Sequence, residues 1–309
     1  MILRYTLHRL LMLIPVSFAI SVVIFMIVYL LPGDPIDNLL RVGSSEADRA
    51  ALVERYGLDR PLVVQYFVWI GNMFRGEFGE AIVLRRPVAD LVAQNLPYSL
   101  TLGGLAFLFS SVVGMALGTL SAVVRNPVMD RFMRGFILLG STVPGFWLAL
   151  LLILFFSVNL GWFPVSGASG WKSLVLPVLT IGFGGVALVA RVTRVALLDA
   201  GREDFVTLLH AKGLSSGTIL FRHLMPHALL PVVTILALRI GWILGGAVTV
   251  EFVFGRPGLG SLLIRSLGQR DYPVVQACLL MLALAVMLGT LIGDVAQASM
   301  DPRIREKKP

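Results

Sequence analysis

Residues 204–231 read DFVTLLHAKGLSSGTILFRHLMPHALLP, a polar stretch flanked on both sides by segments hydrophobic enough to cross a membrane. Phe205, Leu208 and Leu209 stand at i, i+3 and i+4, the spacing of one helix face, and the pattern stops at Gly213. Ser215 or Ser216 can cap a second short helix carrying Ile219, Leu220 and Leu224. Two prolines, Pro226 and Pro231, are expected to redirect the chain into the next span. The stretch is a water-soluble helix-turn-helix knob held by two membrane spans, a shape suited to being gripped from outside.

Composition sets the class around it. Of 309 residues, 57% are hydrophobic and 14% charged, which is not the make-up of a water-soluble domain. Windows of about 20 apolar residues, enough to cross roughly 30 Å of hydrocarbon, fall near 10–31, 99–124, 135–158, 174–197, 232–254 and 274–294. The predicted fold is all-α and integral to the membrane: one domain over 1–309, six transmembrane helices, a large loop at 32–98 after the first and the knob-bearing loop at 198–231 between the fourth and fifth. Arg4 and Arg9 precede a first apolar core too long for a signal peptide, with no small-x-small site after it, so that span is expected to stay as an uncleaved anchor. The single cysteine, Cys278, excludes a disulfide framework. A net charge of +8 comes from basic residues at segment ends, which suits membrane topology and not nucleic-acid binding.

Those basic residues orient the chain. With the N-terminus cytoplasmic, the short loops on that side carry fourteen Lys and Arg against four, Lys172, Arg256, Arg265 and Arg270, on the other. Both termini and the 204–231 knob are therefore expected in the cytoplasm, and the 32–98 loop outside. In that loop Pro32-Gly33-Asp34-Pro35 reads as a rigid turn, and Ser45-Glu46-Ala47-Asp48 as a capping box for a helix ending at Gly57. A second helix over 61–74 offers Val64, Phe67, Val68 and Trp69 on an apolar side. The pair reads either as interfacial cover over the spans or as a docking surface for a soluble partner.

Catalytic signatures are missing. No G-x-x-x-x-G-K-[ST] occurs, so nucleotide energy must come from another subunit, and no H-E-x-x-H is present. His223 and His227 are four apart, but no third metal ligand accompanies them.

Ionisable groups at membrane depth are costly and mark pairs or function. Arg239 lies about eight residues, roughly 12 Å, into the fifth span. Asp294 closes the sixth span at a similar depth. They are read as an interhelical ion pair, with two alternatives: Arg239 snorkels to the headgroups, or it faces the pathway and attracts an anion. Glu251 is read as a capping and packing residue of an outer gate or as part of the substrate mouth. Gly114-x-x-x-Gly118 and Gly241-x-x-x-Gly245 permit close helix packing, including to a partner subunit.

The knob resembles the EAA loop of permease subunits of binding-protein-dependent ABC importers, with the glycine at Gly213, the later proline at Pro226, and Ala211-Lys212-Gly213-Leu214 matching the peptide-type version. It departs from the pattern at Thr207, Leu208 and Leu209, which replace a glutamate and two alanines, and at His210, where arginine is usual. Leu31-Pro32-Gly33-Asp34-Pro35, Tyr56-Gly57-Leu58-Asp59-Arg60-Pro61, Glu251-Phe252-Val253-Phe254, Pro257-Gly258-Leu259-Gly260, Arg270-Asp271-Tyr272-Pro273 and Asp301-Pro302-Arg303-Ile304-Arg305 are similar to the first permease of the dipeptide, oligopeptide and nickel branch. Glu80 departs from it, standing where a small hydroxyl residue is common.

This resemblance implies a type I importer permease in a bacterial inner membrane. Its implied partners are a second homologous permease, two cytoplasmic ATPases holding ATP and Mg, and an extracytoplasmic solute-binding protein. The chain itself would be no enzyme and hold no cofactor. The ATPase-coupling residues implied are Asp204, Phe205, Leu208, Leu209, Ala211, Lys212, Gly213, Leu214, Arg222 and Pro226; Arg239, Glu251 and Asp294 are the pathway or gate candidates. Di- or oligopeptides are the favoured cargo, with a nickel chelate or glutathione next. Competing classes are an ATP-independent secondary transporter, which would show inverted repeats around intramembrane charges, and a non-transporting membrane scaffold.

Overall fold

The computed structural model describes residues 2–30, 46, 47, 49, 50, 53, 59–124 and 126–300. The turn at 32–35, the helix start read at Ser45, its stop at Gly57 and the 301–305 segment lie outside the described residues. Ten helices are used below: α1 (Ile2–Leu30), α2 (Leu62–Phe74), α3 (Val88–Val123), α4 (Pro127–Thr142), α5 (Gly145–Leu152), α6 (Lys172–Ala200), α7 (Asp204–Ala211), α8 (Met225–Val253), α9 (Leu259–Gly268) and α10 (Tyr272–Met300). Helix is what long apolar runs must adopt in hydrocarbon, where every backbone N–H and C=O has to be satisfied within its own segment.

Among the described residues, five helical stretches are long and apolar enough to cross a bilayer: Thr6–Ile27, Val88–Val123, Lys172–Ala200, Ser216–Gly241 and Tyr272–Ser299. The 135–158 window, read above as one span, is instead broken. α4 and the helix Gly145–Asn159 meet at 108°. Val143 is extended, at φ −74° and ψ 119°, because the ring of Pro144 excludes the helical conformation from the residue before it. From Ile153 to Asn159 the second arm continues as π-helix.

α3 and α6 share the longest seam, and α8 packs on both α6 and α10. Small residues bring the backbones together: a Cβ at Gly114 would stand 2.7 Å from Cβ of Val189, and one at Gly118 2.7 Å from Cβ of Thr193. Gly241 is likewise closed by Thr290 and Val286 of α10. These glycines, read as sites for a partner subunit too, are used within the chain; at Gly245 a Cβ would meet open space.

α2 is pinned on α1 by Tyr66, buried with its hydroxyl 2.7 Å from that of Ser21 and its ring set edge-on to Phe18 and Phe25. Val64, Phe67 and Val68 point outward. The core beside it joins Val88 and Leu91 of α3 to Leu259 of α9 and Ala277 and Cys278 of α10.

Candidate functional site

The knob stands on a packed base. α6 ends at Gly201, α7 follows, and Gly213 turns the chain at φ +78°. No atom lies within 4 Å of where a Cβ on Gly213 would be, so the glycine is needed for its left-handed backbone alone. Ser215, one of the two serines considered as cap, accepts from the amide of Thr218 at 3.3 Å. The helix opened there passes through Ser216–Thr218 and a π-helical stretch, Ile219–Leu224, straight into α8. Pro226 sits in the first turn of α8 and Pro231 inside it, so neither redirects the chain as expected. The wider π turns immediately before Pro226 leave room for a ring that lacks an N–H and would crowd a tight α-turn.

Below the knob, Leu220, Leu224 and Met225 pack with Leu197 of α6, Ala122 of α3 and Ala228. Val206 and Ile219 are buried and hold the two arms down. Above it, Asp204, Leu208, Ala211, Lys212, Gly213, Arg222 and Pro226 are exposed, while Phe205, Leu209 and Leu214 are half-buried. The expected stripe therefore divides. Phe205 turns inward, its ring 5.3 Å from that of His227, whereas Leu208 is 55% exposed and Phe221, which sequence reasoning passed over, is 67% exposed. Phe221 was findable, being the largest apolar residue in an otherwise basic FRH stretch. No three His, Cys, Asp or Glu side chains gather as a metal site among the described residues.

The intramembrane ionisable groups are not assembled as expected. Asp294 does not pair with Arg239; its carboxylate lies 3.1 Å from Arg9 of α1, the helix packed against α10. Arg239 instead lays its guanidinium over Gly185 of α6, beside Ser110 of α3. Among the described residues it makes no ion pair or hydrogen bond, and its Nε is buried without a partner.

Glu251 is 1% exposed and takes the capping alternative, not the open mouth. Its Oε1 accepts from the Ser99 hydroxyl at 2.6 Å, and its Oε2 from the amides of Gly260 at 2.8 Å and Ser261 at 3.3 Å. The carboxylate thereby caps the start of α9, where helix N–H groups lack intrahelical partners. A Cβ at Gly258 would run into that carboxylate, and one at Gly260 into both it and Val248. Nearby Arg256 is also buried, donates to the Ser173 hydroxyl at 3.3 Å and lies 5.8 Å over the Tyr98 ring. Burial lowers its basicity below the ordinary arginine value, against the opposing pull of the Glu251 charge.

Residues 114–306 match the family "Binding-protein-dependent transport system inner membrane component", and residues 2–103 match the N-terminal model of the same kind of membrane component. The chain is 42% identical over 306 residues to the glutathione transport system permease protein GsiC of Escherichia coli (strain K12), covering 99% of this chain and 100% of that one. The GsiC protein of Shigella dysenteriae serotype 1 is similar to the same extent. Among solved structures, the MetNI methionine ABC transporter aligns with a TM-score of 0.57 at 21% identity, over 68% of this chain and 96% of that one, a likeness of fold.

Proposed function

Because the chain belongs to the family of binding-protein-dependent transport system inner membrane components and is the permease of an ABC importer, we propose that it carries short peptides of the size of glutathione. The full-length likeness to glutathione permeases carries this reading, and it fits the peptide-type residues Ala211 to Leu214. Glutathione is itself a tripeptide, so the di- and oligopeptide reading narrows to short peptides and is not replaced.

The knob is the lever in this proposal. It faces the cytoplasm, as the charge bias argues, and Leu208 and Phe221 enter a groove of an ATPase while Asp204, Lys212 and Arg222 form the polar rim. Nucleotide-driven closure of two ATPases pulls the knob. Its packed base on α3 and α6 passes that motion to the spans, which rock between inward- and outward-open states with a second homologous permease completing the path.

The test is uptake into proteoliposomes holding this permease, its companion permease, the ATPases and the solute-binding protein. Labelled glutathione should accumulate only with ATP and be competed by short peptides. Accumulation without ATP, or indifference to both glutathione and peptides, would sink the proposal.

A further inference from the structure

Two in-span carboxylates among the described residues, buried Glu251 and half-buried Asp294, are already committed. Glu251 is saturated by Ser99, Gly260 and Ser261, and Asp294 pairs with Arg9. Arg239 is the contrast. It packs against Gly185, which stands within a residue of the middle of the 29-residue α6, so the guanidinium sits roughly 20 Å along the helix from either end. A Cβ at Gly185 would lie 2.6 and 2.7 Å from its two terminal nitrogens and 2.7 Å from Cβ of Ser110. The charge thus occupies space left by a bare backbone where α3, α6 and α8 meet, in a residue that is only half-buried.

A guanidinium held at mid-membrane without an anion is expensive. Its rigid fork of donors matches a carboxylate bidentately. A permanent counter-ion would leave nothing for the fork to do in transport, whereas a peptide cargo brings at least one carboxylate to this depth and takes it away again. We propose that Arg239 is the mid-membrane receptor for a carboxylate of the transported peptide. The inference rests on the short-peptide reading of the permease and adds the group by which the path holds its cargo.

The experiment is a cycle between residue and substrate in the full reconstituted complex. Glutathione and dialanine, and each with all of its carboxylates amidated, are presented at concentrations that saturate the solute-binding protein, with binding to that protein measured separately. The wild type should move each acid about tenfold faster than its amide, the size of one charge-assisted hydrogen-bonded contact. Arg239→Gln should bring that ratio near one with complex yield unchanged, and Arg239→Lys should keep part of it. An unchanged ratio in Arg239→Gln overturns the inference. So does loss of complex yield in Arg239→Gln with normal yield in Arg239→Lys, which would assign the fork to a carboxylate of the companion permease. Uptake of dialanine without glutathione refutes the cargo proposed above and leaves this cycle to be decided on dialanine; uptake of neither acid overturns both.

Discussion

The Ser99 hydroxyl donates to Glu251 at 2.6 Å and accepts from the Leu259 amide at 2.8 Å, so one side chain of α3 links the end of α8 to the first turn of α9. Removing it orphans a buried carboxylate oxygen and a buried amide together. Ser99→Ala should lower the stability of the complex by about 1–3 kcal/mol, seen as a lower melting temperature with the ATPase affinity unchanged. Glu251→Gln should cost a similar amount, and the double variant less than the sum, because the two residues share one network.

Gly258→Ala and Gly260→Ala push a methyl group into the Glu251 carboxylate. Both should fail to accumulate in membranes, whereas Gly268→Ala, whose added Cβ would meet nothing within 4 Å, should accumulate normally. Immunoblots of membrane fractions distinguish them.

At Gly213 the constraint is the backbone alone. Gly213→Val should uncouple ATP hydrolysis from uptake, since a β-branched residue in the left-handed region costs about 1–2 kcal/mol or more. Gly213→Asn should retain most of the coupling, because asparagine visits that region readily. Equal loss in both variants would mean that the space around the turn matters, against its open surroundings.

Leu208 and Phe221 present an exposed apolar surface on the knob. Leu208→Asp should weaken ATPase binding by about tenfold or more, from the lost burial of one large side chain. Raising salt from about 0.1 M to about 1 M, which shortens the Debye length from about 10 to 3 Å, should leave wild-type binding nearly unchanged in a pull-down of the detergent-solubilised complex.

Arg9 and Asp294 are 42% and 15% exposed. Charge reversal of either sets like charges side by side and should cost about 1–4 kcal/mol, and exchanging both should recover part of it. Thermal melts of the single and double variants read this directly.

Hydropathy carries most of the bundle, because a continuous apolar run has no stable alternative to helix in a bilayer. It averages across the bend at Val143 and Pro144, where both arms are apolar; the residue pair itself held the signal, since a residue preceding proline leaves the helical region. The partner of Asp294 was not legible for a different reason. Depth along a helix puts Arg9 and Arg239 on equal terms, and only the packing of α1 on α10 selects between them. The environment of Glu251 depends on Ser99, 152 residues away in the chain, which no local pattern announces. Gly213 was legible because a glycine at the end of a short amphipathic pattern has one common use.

The π-helical stretch Ile219–Leu224 has a consequence for the angular phase of the molecule. A π turn holds an additional residue relative to an α-turn, and each residue advances a helix by about 100°. Winding the same residues of Ile219–Leu224 as α-helix would instead rotate every side chain of α8, Arg239 and Glu251 included, by about a quarter-turn relative to the knob. The extra residue therefore acts as a phase key: it sets which face of α8 meets α6 and α10 for a given grip on the loop, and loops exchanged between related permeases would have to carry the same offset to keep that alignment.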